Sequence, residues 1–175
     1  MIKTHRFRTL IDKHKEWIFT YAFYFTGDRA DAEDVTQEVM LRLWQHLEKI
    51  RLGSAGAWIR KTTRNLCIDS RRRRIRYRSD TELADQIPGA LDDPIDRTQS
   101  SMLSEVIYSA LQHLPDKHRS VLIMREIQDM SYREISACLN IPLNSTKVFL
   151  WRARSALRRR LSETLKRELQ DAEIV

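Results

Sequence analysis

The sequence predicts an all-α protein: two small helical domains joined by an acidic, flexible linker, the second domain carrying a helix-turn-helix. Three observations lead there. Glycine and proline number only four each in 175 residues, so few positions interrupt a helix. Apolar residues recur at three- and four-residue spacings, and strand-like alternation is absent. Between Ser79 and Asp96 the periodicity stops. Asp80, Glu82, Asp85, Asp92, Asp93 and Asp96 crowd that stretch with Pro88, Gly89 and Pro94, and it holds no lysine or arginine. The expected division is 1–78, a linker at 79–96, and 97–175.

The first helix is expected over roughly Thr9 to Phe25, closing at Thr26 and Gly27 because glycine tolerates the left-handed conformation that ends helices. Asp28 then reads as an N-cap. The second helix carries Val35, Val39, Leu43, Leu47 and Ile50 on one stripe, with acids in its first turns where the helix dipole favours them, and stops near Gly53. A third helix begins around Ser54 and buries Trp58 or Ile59, Thr62 and Leu66. Beyond the linker, Met102, Val106, Ile107, Ala110, Leu111 and Leu114 form a stripe. Pro115 and Asp116 open the next helix, and Val121, Leu122, Met124 and Ile127 continue the core.

The segment "SYREISACLNIPLNSTKVFLWRARSAL" breaks at Ile141 and Pro142 into two helices. Ser131 caps the first, with Glu134 at the reciprocal capping-box position, and Ile135, Leu139 and Ile141 face inward. Asn144 or Ser145 caps the second, whose Thr146, Leu150, Ala153, Leu157 and Leu161 form the buried stripe. Lys147, Val148, Trp151, Arg152, Ser155 and Arg159 turn outward. From Lys147 to Arg160 there are six basic residues and no acid, the footprint of a recognition helix entering a major groove. Arg152 is the candidate base reader, because its fork can bond two guanine acceptors; Lys147, Arg154 and Arg158 suit phosphates. Trp151 either meets DNA or packs on its own domain.

Charge and composition narrow the function. A formal charge of +7 and a pI near 9.7 point to a polyanionic partner, with 42% hydrophobic and 31% charged residues marking a globular chain. Arg60, Lys61, Arg64 and the run Arg71 to Arg74 make a second basic surface on the third helix. Cys67 and Cys138 stand far apart without CxxC spacing, and the five histidines form no ligand pair, which argues against a disulfide framework, a metal site or a bound cofactor. No run of eighteen apolar residues and no targeting segment is evident, so no membrane contact and a cytoplasmic location are expected. No nucleophile or metal-carboxylate constellation marks an enzyme.

Two basic surfaces flanking an acidic linker complete a pattern that resembles the extracytoplasmic-function bacterial RNA polymerase sigma factors. "DAEDVTQEVMLRLW" is similar to that family's core-binding motif, "AWIRKTTRNLCIDSRRRR" to its promoter-melting segment, and "LPDKHRSVLIMREIQDMSYREISACLNIPLNSTKVFLWRARSAL" to its C-terminal DNA reader. The resemblance implies that Asp34, Gln37, Glu38, Leu41 and Trp44 meet core RNA polymerase. Trp44 is either such a contact or part of the core. The resemblance also implies that Arg60, Lys61, Arg64, Asn65, Arg71 and Arg72 serve minus-10 DNA, and that Lys147, Val148, Trp151, Arg152, Arg154 and Ser155 serve the minus-35 element. Promoter DNA and core polymerase are thus the implied partners, with an anti-sigma factor as a further one. The acidic linker would lie in a positively charged channel of the polymerase and be disordered in the free protein.

The pattern departs from the family where Asn144, Ser145 and Thr146 stand in place of the usual Gly-Thr-Val, and where Val148 and Phe149 replace a small polar or basic pair. A buried Thr146 must bond its hydroxyl back to a carbonyl, while Val148 can pack only on a thymine methyl. The rival reading is a stand-alone repressor or activator with a dimerising N-terminal domain, which leaves the second basic surface without a purpose. A DNA recombinase is more distant.

Overall fold

The structure is a computed structural model and describes residues 2–80 and 99–172. Helix α1 (Ile2–Thr26) packs on α2 (Arg29–His46) and α3 (Ala55–Asp80), with a 3-10 turn at Leu52–Ser54 between the last two. Helices α4 (Gln99–Gln112), α5 (Asp116–Leu122), α6 (Tyr132–Leu139) and α7 (Leu143–Ala172) form the second unit, in which α7 lies against the other three. A π-helical turn, Ile123–Ile127, continues α5. Almost all of the expected linker falls outside the described residues, and so does its expected disorder.

Helix α1 begins two turns before the expected Thr9 because its early residues have partners. Arg6 donates to the Ile50 carbonyl, the Phe7 ring meets Trp44 edge-on, and Leu10 is buried. Its end is as expected: Gly27 has φ +71°, and the Asp28 side chain accepts from the Asp31 N–H at 2.9 Å. Leu47 and Ile50 are buried as expected, although α2 has ended at His46. On α3 the buried threonine is Thr63, not Thr62. Counting four from Ile59 leads to Thr63, whose hydroxyl returns to the Ile59 carbonyl at 2.8 Å. The basic run Arg71 to Arg74 is helical throughout.

In the second unit the π turn corrects one core residue. The Gln128 N–H bonds the Ile123 carbonyl five residues back, so the helix surface rotates; Ile123 is buried instead, and Ile127 is 38% exposed. The capping box at Ser131 and Glu134 is complete in both halves, and Asn140 ends α6 in the left-handed conformation. The second helix of the motif starts at Leu143, directly after Pro142, so Asn144 and Ser145 lie inside its first turn and neither is the cap. Pro142 is itself the N-cap residue: its carbonyl accepts from the Thr146 N–H at 3.0 Å, and its absent N–H is not needed there. Thr146 is buried and bonds back to the Pro142 carbonyl at 3.3 Å.

The apolar interior is continuous. Leu10, Ile18, Tyr21, Phe25, Val39, Leu43 and Ile59 of the first unit belong to the same cluster as Leu111, Leu114, Met124, Ile135 and Leu150 of the second. Hydrogen bonds cross the same boundary: Tyr21 Oη donates to Ser120 Oγ at 3.0 Å, and Arg119 Nη1 to the Phe25 carbonyl at 2.7 Å.

Candidate nucleic-acid interface

Helix α7 presents the face that its sequence period requires. Thr146, Leu150 and Ala153 are buried against the motif, which turns Lys147, Val148, Trp151 and Arg152 into solvent. Trp151 is 69% exposed, which excludes its packing as part of the domain interior. Ser155 is half-buried. Arg154 reaches the π turn, where its Nε and Nη2 donate to Glu126 Oε1 at 2.9 and 2.6 Å, so a carboxylate already holds it. Nearby, His118 lies below its usual pKa, first because it is partly buried and then because Arg152 adds positive charge; its ring stands 5.3 Å from Phe149.

The six α3 residues divide between two faces. Lys61, Asn65 and Arg72, at spacings of four and seven, are exposed on one side. Arg60, Arg64 and Arg71 repeat the same spacings one residue earlier and are only partly accessible. Arg71 Nη1 is 2.5 Å from Asp116 Oδ1 on α5, and its Nη2 donates to the Gln112 carbonyl at 3.2 Å. The N-terminal half of the helix is thus not a uniformly open cationic surface.

On α2 the structure brings the expected residues together at a groove. Asp34, Gln37, Glu38 and Leu41 face Leu66, Asp69, Ser70 and Arg73 of α3 across roughly 840 Å³ of open space. Sequence reading did not place this α3 wall at a groove, because Leu66 reads as core and Arg73 as part of the basic run, while Asp69 and Ser70 carry no separate signal. Leu41 is 58% exposed, an apolar side chain in water on a helix rich in acids. Trp44 is half core and half surface: its ring is 5.2 Å from Phe7, Lys3 Nζ lies 5.0 Å from its centroid, and 40% stays exposed. Glu38 is bound by Arg42 at 2.6 Å in an exposed i, i+4 pair of small energetic weight. At the groove's end Asp31 is raised above the ordinary carboxylate value, chiefly by burial, with Arg74 opposing. Among the described residues, no group of His, Cys, Asp or Glu is placed to hold a metal ion, and no helix is long and apolar enough to cross a membrane.

An acid-and-leucine groove thus lies on one unit and a basic helix-turn-helix on the other. Residues 10–77 match the family described as Sigma-70 region 2, and residues 104–157 match Sigma-70, region 4. The chain is therefore a sigma factor of the sigma-70 type. The ECF RNA polymerase sigma factor SigL of Mycobacterium tuberculosis is 35% identical over 158 residues, which cover 89% of this chain and 89% of SigL. SigW of Bacillus subtilis is 30% identical over 90% of this chain and 89% of its own length. SigE of Mycolicibacterium smegmatis is 30% identical over 93% of this chain, which spans 64% of that longer relative. Among solved structures, the sigma factor RpoE of Bartonella quintana, in complex with the anti-sigma factor NepR, superposes with a TM-score of 0.73 at 22% identity. That likeness covers 89% of this chain and 96% of the other, and concerns the fold. The chain belongs to the extracytoplasmic-function RNA polymerase sigma factors, the group that directs promoter-specific transcription initiation.

Proposed function

We propose that this chain works as two binding modules, 1–78 and 97–175, tethered by 79–96, and makes no bond itself, leaving catalysis to the polymerase. The first module binds core RNA polymerase through Asp34, Gln37, Glu38, Leu41 and Trp44. An apolar side chain set among carboxylates and an amide can bury area and match a basic partner at the same time. Lys61, Asn65 and Arg72, joined by Arg60, Arg64 and Arg71 once these are free, hold the separated strand at the minus-10 element. The second module lays α7 in the major groove of the minus-35 element, with Arg152 reading a base, Val148 against a thymine methyl, Lys147 and Arg158 on phosphates, and Trp151 and Ser155 beside them. Arg154 joins the contact only by exchanging Glu126 for phosphate.

The location that follows is cytoplasmic, where polymerase and promoter are. An anti-sigma factor is a further partner, since the RpoE neighbour was solved with one. The observation that carries this reading is Leu41, 58% exposed among the acids that line the α2 groove, with a DNA-type helix-turn-helix in the same chain. Glu38→Lys reverses a charge at that groove without touching the core. It should lower affinity for core polymerase at least about tenfold in a pull-down titration, in keeping with charge reversal at an interface, while the circular dichroism spectrum stays unchanged. Wild-type affinity would reject the assignment.

A further inference from the structure

Asn144, the first of the three residues that stand in place of the usual Gly-Thr-Val, has the chemistry of a cap but not the position of one. Helix α7 has already begun at Leu143, and the turn before it closes without the Asn144 amide. Ser136 Oγ donates to the Ile141 carbonyl at 2.6 Å, the Ile141 N–H to the Ser136 carbonyl at 3.1 Å, and the Thr146 N–H to the Pro142 carbonyl at 3.0 Å. Among the described residues the Asn144 side chain has no hydrogen-bond partner, and the residue stands exposed. Asparagine is a poor helix former that is favoured at a helix start when its side chain takes up a free backbone N–H. Here that gain is absent.

The place it does hold is on the outward face of α7. Asn144, Val148, Trp151 and Ser155 follow one another at spacings of four, three and four. At 3.6 residues per turn all four lie within roughly 50° of the direction opposite the buried Thr146, Leu150 and Ala153. Arg152 stands as far from that direction as Trp151 but on the other side, whereas Lys147 is roughly 90° away, on the flank where phosphates pass. Recognition helices meet base edges chiefly with their N-terminal residues, and Asn144 is the first of this row.

The amide selects the base. A carboxamide holds one acceptor and one donor side by side in a plane, and in the major groove only adenine sets an N6 donor beside an N7 acceptor. Guanine offers two acceptors, thymine one acceptor and cytosine one donor, so each of them satisfies half of the amide. A rise of 1.5 Å per residue puts Asn144 roughly 6 Å from Val148 and roughly 12 Å from Arg152 along the helix, about two and about three to four base-pair steps.

We propose that Asn144 is a specificity-determining residue that reads an adenine at one end of the minus-35 element, its Oδ1 accepting from N6 and its Nδ2 donating to N7. That adenine lies about two base pairs from the thymine under Val148 and about three to four from the guanine under Arg152. The assignment rests on the reading of α7 as the helix that enters this groove.

Holoenzyme reconstituted from the full chain and core RNA polymerase is used to select promoters from a library randomised across the minus-35 element. The wild type should favour adenine at one position by about tenfold, within the range of one bidentate pair. Asn144→Ala should lose that preference and keep the others, with its circular dichroism spectrum and its affinity for core polymerase unchanged. Alanine is the better helix former, so lost stability does not account for the loss. Asn144→Asp should weaken binding and turn the remaining preference at that position towards cytosine, because a carboxylate only accepts and cytosine N4 donates. Placing 7-deazaadenine, which lacks the N7 acceptor, at the selected position should weaken wild-type binding about fivefold and leave Asn144→Ala unaffected. An asparagine with a merely structural role would respond to none of these changes of base.

Adenine preference retained in Asn144→Ala overturns the assignment, as does a uniform loss across all sequences, which marks a phosphate contact. Indifference of the wild type to 7-deazaadenine overturns it as well. If Arg152→Ala alters a preference and Asn144→Ala alters none, only the Asn144 assignment falls; if neither alters any, α7 is not the reader and the reading of the helix fails with it.

Discussion

On α7 the side chains of Lys147 and Arg152 both stand in solvent, but their ends differ in chemistry. An ammonium is a point charge without direction; a guanidinium is a planar fork that fits two acceptors at once. The two residues should therefore fail differently. Arg152→Ala should cost about 1–3 kcal/mol and relax preference at one base pair, while Lys147→Ala should weaken all sequences alike and lower the salt slope by about 1. Binding-site selection and salt titration on the full chain would check this. Unchanged base preference at every position in Arg152→Ala would hand the reading role to Trp151 or Ser155. Arg154 shows why residue type alone does not assign a role. It has the same fork as Arg152, but Glu126 lies 2.6 Å away, and that pairing raises its pKa further.

At the scale of an element, the motif's first helix is only eight residues long and depends on its start. Ser131 Oγ accepts from the Glu134 N–H at 3.3 Å, and Glu134 Oε2 accepts from the Ser131 N–H at 2.8 Å and from its hydroxyl at 2.7 Å. Those bonds hold the Glu134 carboxyl below its ordinary value. A carboxylate depressed on folding adds stability above its unfolded pKa, and the addition is lost as pH falls through the folded one. Ser131→Ala should therefore cost about 1 kcal/mol at neutral pH, and the gap to wild type should shrink on acidification below about 4.5, the ordinary value for this group. Urea unfolding at pH 7 and pH 3 would measure it. An identical gap at both would mean that the Glu134 half of the box contributes nothing.

Across the whole molecule, the two units share an interior in which Arg119 is the largest fully buried side chain among the described residues. Burial pushes the Cys67 thiol and the Tyr21 hydroxyl well above their ordinary values, so both stay neutral near the charged group. Arg119→Leu removes the charge and leaves the carbonyls of Gln112 and Leu114 without the donors that reach them. It should cost about 3 kcal/mol. Because the Phe25 carbonyl belongs to the other unit, unfolding should also lose cooperativity and split into two transitions. A loss below about 1 kcal/mol with a single transition would mean that water already reaches these carbonyls, as it would in an open chain.

The sequence by itself determined the run of helices, the caps at Asp28 and Ser131 and the outward face of α7, because these follow from local periodicity and from side chains three or four residues apart. Gly27, Asp28 and the pair Ser131 and Glu134 act within a single turn of chain, and Lys147, Trp151 and Arg152 are exposed because Thr146, Leu150 and Ala153 must be buried. The misplacements have local geometric causes. A π turn rotates Ile127 outward, Pro142 shifts the start of α7, and a one-residue miscount puts Thr62 where Thr63 is. Only the tertiary structure decided which arginines are free. Arg60, Arg64 and Arg71 are indistinguishable in sequence from Lys61, Asn65 and Arg72 as a polar row at spacings of four and seven. Their difference is made by Asp116, Glu134 and Cys138, 45 to 78 residues away along the chain, and Arg119 is buried by a carbonyl 94 residues distant. Contacts at that separation leave no period in the sequence, since the side chains that meet belong to faces that periodicity alone assigns to solvent.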